Sequence, residues 1–136
     1  MPLMTWNDKM SVGVSMLDAD HKKLVEMLNE LYDAVQNGKG KDSLGKILDS
    51  LIDYTKIHFA HEEKFFLQTN YPESAVHKKE HDDLTSQVLD VQKKYKNGAS
   101  GTLSLEVLNF LKYWLVNHIG AADKKYGPYL NSKGIH

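Results

Sequence analysis

Apolar residues recur along most of the chain at alternating steps of three and four, the spacing that puts them on one face of an α-helix. Leu17, His21, Leu24, Leu28, Leu31 and Val35 make the first such stripe, and Leu44, Leu48, Leu51, Thr55, His58, Glu62 and Phe65 the second. His77, His81, Leu84, Val88, Val91 and Tyr95 make the third, and Leu108, Leu111, Leu115 and His118 the fourth. Polar breaks at Asn37–Ser43, Thr69–Pro72 and Asn97–Ser104 divide the segments. Asp42 or Ser43 suits the N-cap of the second segment, Thr102 or Ser104 that of the fourth, and Pro72 the first turn of the third. No hairpin signal interrupts the pattern. Helices that each bury one stripe and are joined by short loops predict an all-α fold, an antiparallel up-down-up-down four-helix bundle. Residues before the first stripe, about 1–16, lack the period and are expected to form a short N-terminal arm packed through Trp6.

The stripes are not purely apolar. His21, His58, Glu62, His77, His81 and His118 stand where Leu would pack, and together they come from all four segments. A buried carboxylate without partners is costly, and a buried imidazole needs partners for both ring nitrogens. Cations inside the bundle meet both needs, because neutral His and ionised carboxylate are metal ligands. His58 and Glu62 are four apart, as are His77 and His81, so each pair projects from one face a turn apart. His118 and Asp123 are five apart, which separates them by roughly 140° on an ideal helix. Asp123 therefore joins the others only if the fourth helix loosens, winds as a π-turn or ends near Gly120. Seven candidates exceed the ligand set of one tetrahedral zinc and suit two six-coordinate ions that share carboxylates. His61 lies off the stripe and is expected at the surface, and His136 at the chain end receives no role.

Composition narrows the function further. The 136 residues suit one domain, spanning 1–136 and able to bury a core without cross-links. With no cysteine, a disulfide scaffold, a thiolate metal site and a cysteine nucleophile are excluded. Lys+Arg of 17 against Asp+Glu of 18 leaves a net charge of -1, and every one of those cations is Lys. Neither the charge nor the missing Arg favours nucleic acid as a partner. The apolar run around Phe110 to Val116 is interrupted by Lys112 and too short to insert in a membrane. The amino terminus has no basic head followed by an apolar run, so a cytoplasmic location is expected.

Four stretches carry a family resemblance: DADHKKL (Asp18–Leu24), HFAHEE (His58–Glu63), HKKEH (His77–His81) and WLVNHIGAADKKY (Trp114–Tyr126). In this order and spacing, over nearly the whole chain, they resemble the hemerythrins, specifically the single-domain bacteriohemerythrins. A member of that family is itself a known example of the up-down-up-down bundle. The resemblance implies a cofactor of two Fe ions in an oxo/hydroxo-bridged di-iron centre. It implies His77, His81 and His118 on one iron, His21 and His58 on the other, and Glu62 and Asp123 bridging them, the five-residue step included. One coordination position is then left open on the iron with two His. Leu24, Phe59, Trp114, Leu115 and Ile119 are implied to line the oxygen pocket. Phe66 stands where hemerythrins often carry Met, a change expected to bear on a tunnel or pocket wall. The implied function is reversible dioxygen binding for transport, storage or delivery, without catalytic turnover, with an oxygen-consuming protein as a conceivable recipient. A di-iron oxidase, peroxidase or nitric oxide scavenging enzyme is the alternative, and an oxygen or redox sensor a third reading. The Glu-x-x-His motif of ferritin-like di-iron enzymes does not occur, which weighs against the enzyme.

Overall fold

Each stripe becomes the buried face of a helix. The computed structural model describes residues 4–38, 41–97, 105–119 and 124–136, without the side chains of 41–44 and 105–107. Four helices follow the predicted segments: α1 (Ser15–Gln36), α2 (Lys41–Thr69), α3 (Ser74–Lys96) and α4 (Leu105–Asn117). A fifth, α5 (Lys124–Ser132), was not expected. It is a short helix with Gly127 and Pro128 inside it, and it buries Tyr126 and Leu130, four apart. Among the described residues there is no strand.

Local chemistry sets several of the helix ends. α2 stops where Asn70 takes the left-handed conformation, φ 54, and the Tyr71 N–H donates to the Phe66 carbonyl at 3.1 Å. This backbone cap satisfies a carbonyl that the helix itself leaves open. Pro72, expected in the first turn of α3, lies instead in the turn that precedes it. The expected caps Asp42, Ser43, Thr102 and Ser104 fall outside the described side chains. Along α2 the stripe drifts beyond Glu62: Phe66 is buried and Phe65 only half-buried, the reverse of the expectation. A helix of 3.6 residues per turn does not hold a fixed three-four alternation indefinitely.

α1 packs along α2, α2 along α3, and α4 against α1. Gln92 donates to Asp49 while His81 faces Glu63, so α2 and α3 meet with opposite chain directions. The core has two parts. The larger contains Leu24, Leu28, Leu31, Ile52, Phe59, Leu84, Leu111, Leu115 and Ile119, with Trp6 half-buried against it. The smaller, at one end, joins Val12, Val14, Leu17, Phe66, Tyr71, Tyr126 and Leu130. His21 lies between Leu17 and Leu24 on α1, and Glu62 between Phe59 and Phe66 on α2, so the buried polar groups sit where the two parts meet.

The arm is tied down by polar contacts rather than by a periodic face. The Met4 N–H donates to Asn29 Oδ1 and Asn29 Nδ2 donates back to the Met4 carbonyl. Asp18 accepts from the Val12 N–H and the Ser11 hydroxyl, and Asn131 of α5 donates to the Gly13 carbonyl. α5 lies so close to the arm that a Cβ at Gly127 would stand 2.2 Å from the Val12 carbonyl oxygen. Backbone meets backbone there, and no flexible side chain can yield. Gly127→Ala is expected to cost about 3 kcal/mol, at the upper end for overpacking. For a chain of this size that lowers Tm by roughly 10 °C. Thermal unfolding checks it, and an unchanged Tm would show that α5 is free to shift away from the arm.

Candidate metal centre

Six of the residues singled out in the sequence converge. Glu62 of α2 lies at their middle, fully buried. Its Oε1 is 2.9 Å from His81 Nε2, 3.4 Å from His58 Nε2 and 3.7 Å from His77 Nε2. Its Oε2 is 3.9 Å from His21 Nε2 and accepts a short hydrogen bond from the Tyr126 hydroxyl. The donor atoms fall into two groups that share Glu62: Glu62, His77, His81 and His118, and His21, His58 and Glu62. Within each group they lie within 4.8 Å of one another, close enough to bind one ion.

The helices explain this convergence. His58 and Glu62, and His77 and His81, each sit one turn apart on the inner face of α2 or α3. α4 ends at Asn117, and the backbone widens into a π-turn over residues 118 and 119, one of the three ways the five-residue step from His118 could be accommodated. Asp123 itself lies outside the described residues. Aromatic rings hold the imidazoles in place. Phe59 stacks on His81 with ring centroids 3.8 Å apart, Trp114 stacks on His118 at 4.4 Å, and Phe66 meets His77 edge-on at 4.9 Å.

A second buried carboxylate stands behind the cluster. Asp20 of α1 accepts from His58 Nδ1 at 2.9 Å, from His61 Nδ1 at 2.8 Å and from the Tyr54 hydroxyl at 3.0 Å. Burial pushes its carboxyl up, but the hydrogen bonds from His58, His61 and Tyr54 and the electrostatic influence of His58 outweigh that and hold it at about 2. Burial and the neighbouring Asp20 push the Tyr54 phenol up to about 12, so it stays a donor. An anionic Asp20 requires His58 to donate through Nδ1. The buried Nε2 of His58 makes no hydrogen bond and faces Glu62, the form in which imidazole binds a cation. Five imidazoles around a shared carboxylate fit first-row transition ions.

Between the helices an apolar cavity of about 50 Å³ reaches the cluster. His21 and His58, both imidazoles of the smaller group, line it, and of the larger group only His118 does. Leu24, Phe59, Trp114 and Leu115 also line it, and the wall continues through Leu28, Ile52, Leu84 and Leu111. The Thr55 hydroxyl on this wall already donates to the Leu51 carbonyl. A site so poor in polar partners holds water badly.

Residues 12–130 match the family model for the hemerythrin HHE cation binding domain. The chain belongs to the hemerythrin family. It is 39% identical over 133 residues to the bacteriohemerythrin of Methylococcus capsulatus, covering 97% of this chain and all of the relative. It is 33% identical to the bacteriohemerythrin of Stenotrophomonas maltophilia, covering 93% of this chain and 80% of the relative. A crystal structure of wild-type hemerythrin superposes with a TM-score of 0.89 at 40% identity, over 94% of this chain and 98% of that one.

Against this hemerythrin frame one expectation about the site needs correction. His61 is not a surface residue but a half-buried partner of Asp20. Ile119 is fully buried in the larger core part. Phe66 packs against His77, Tyr71 and Tyr126 in the smaller core part. Asp20 and Tyr126 were missed altogether. Asp20 lies beside His21 in a charged run, and Tyr126 lies beyond the last stripe, so neither carried a periodic signal.

Proposed function

We propose that this chain, a single domain built as an antiparallel up-down-up-down bundle closed at one end by α5, binds dioxygen reversibly at a non-haem di-iron centre. In this reading His77, His81 and His118 would hold one iron, His21 and His58 the other, and Glu62 and Asp123 would be shared between them. A pair of ferrous ions held there would supply the electrons for reversible binding of the gas. The protein is then a carrier or store, not a catalyst.

The observation that carries the reading is the position of the apolar cavity, which meets both imidazoles of the smaller donor group. Among the described residues that group has fewer protein ligands, so an exchangeable position would belong there, as at other metal sites that bind small molecules. Leu24, Phe59 and Leu115 exclude water and stray protons from that side. Tyr126 holds Glu62 by its Oε2, and Phe59 and Trp114 keep the stacked imidazoles from turning. A nonpolar diatomic enters such a cavity without breaking hydrogen bonds.

Iron analysis with optical spectra tests the proposal. Anaerobically reduced protein should carry two irons per chain, gain a visible absorption band in air and lose it on degassing, through repeated cycles. Irreversible bleaching, or steady consumption of an added reductant, would move the chain to the enzyme class.

A further inference from the structure

Asp20 is 5% exposed and belongs to neither donor group. Three groups from one face of α2 converge on it: Tyr54, His58 and His61, at steps of four and three. Tyr54 takes Oδ1, while His58 and His61 share Oδ2. The carboxylate thus clasps α1 to α2 at the level of the cluster, and of the described histidines around Glu62 it grips only His58.

On the other half of the centre, two imidazoles face more exposed carboxylates. His81 Nδ1 lies 3.5 Å from Glu63, and His118 Nδ1 3.5 Å from Glu80, both beyond a good charge-assisted hydrogen bond. Those carboxylates are 34% and 46% exposed, against 7% for the Asp20 side chain. His58 also meets the ring of His21 edge-on, with centroids 4.6 Å apart, so a turn of His58 disturbs both imidazoles of the smaller group.

We infer that Asp20 is the positioning residue of the two-histidine half of the centre: it fixes His58 with Nε2 toward Glu62 and so sets how tightly that half keeps its metal. The inference rests on the di-iron reading but concerns only one of its two ions. Partners that orient a metal-bound imidazole typically contribute 10- to 100-fold to metal affinity. Within the clasp, Tyr54 and His61 act through Asp20 and hold it from the side away from the centre.

Anaerobic titration with Co²⁺, followed by its visible spectrum and by metal content after gel filtration, tests this. Wild-type protein should take two ions per chain. Asp20→Asn should keep the first with unchanged affinity and bind the second roughly tenfold more weakly. Tyr54→Phe, which leaves both imidazole contacts in place, should weaken the second ion by a smaller factor and keeps the test open if Asp20→Asn does not fold. In the ¹H–¹⁵N spectrum of metal-free protein, the strongly downfield His58 Nδ1–H signal should disappear in Asp20→Asn. Equal affinity for the second ion in wild type and both variants would overturn the inference and leave the di-iron reading standing. Equal weakening of both ions would also overturn it. Fewer than two ions in wild type would remove the di-iron reading itself.

Discussion

On the proposed di-iron reading, Glu62→Gln should lose most of its iron, falling from two ions per chain to fewer than one, with metal affinity lowered roughly 100-fold. Among the described residues, Glu62 is the one common to both donor groups. The amide keeps its size and can still accept from Tyr126, but it removes the buried negative charge that four neighbouring imidazoles face at 2.9 to 3.9 Å. Cations held by neutral imidazoles with one anion fewer are poorly compensated in an apolar interior. The metal-free chain should respond with the opposite sign. There the carboxylate is a buried charge without its cations, and an amide costs less to bury, so the apo variant should melt no lower than apo wild type. Loaded wild type gains stability from bound metal, which the variant cannot match. Metal content by emission spectrometry, with melting curves before and after chelation, reads both signs. A variant that keeps two irons would remove Glu62 from its bridging place.

Leu115→Asp should shorten the life of the oxygenated state on the order of 100-fold, equivalent to a barrier lower by about 2.7 kcal/mol. Leu115 lines the cavity beside His21 and His58 and is buried in the larger core part. A carboxylate there brings water and exchangeable protons to a wall that is otherwise almost wholly apolar. Leu115→Ala should move in the same direction by less, because it removes bulk without adding a polar group. Its cost in stability, about 2–5 kcal/mol for a large-to-small change in a core, shows up separately in melting. The readout is the decay of the visible band in air at constant temperature. Decay as slow as wild type in Leu115→Asp would end the argument that this wall protects the centre.

Much of this protein was legible in its sequence. Alternating apolar steps located four helices to within a few residues, because a helix in water must bury one face. His21, His58, Glu62, His77, His81 and His118 stood out on the same logic, as polar groups on faces that had to be buried. A π-turn begins at His118, one of the changes of winding named for the five-residue step, while Asp123 lies outside the described residues.

Periodicity describes one helix at a time, and what it left open are the relations between helices. Asp20 sits a residue before a stripe position and looks like part of a solvated charged run. It is buried only because the rotation and height of α1 against α2 set it over Tyr54, His58 and His61. The same packing draws His61 inward. Tyr126 reaches Glu62 because α5 folds back onto the arm, with Gly127 allowing the approach. The chain's own pattern thus determined which faces are buried and which polar groups they carry. The packing of α1, α2 and α5 decided which of those groups meet, because interhelical distance and rotation come from side chains remote in sequence interlocking in space.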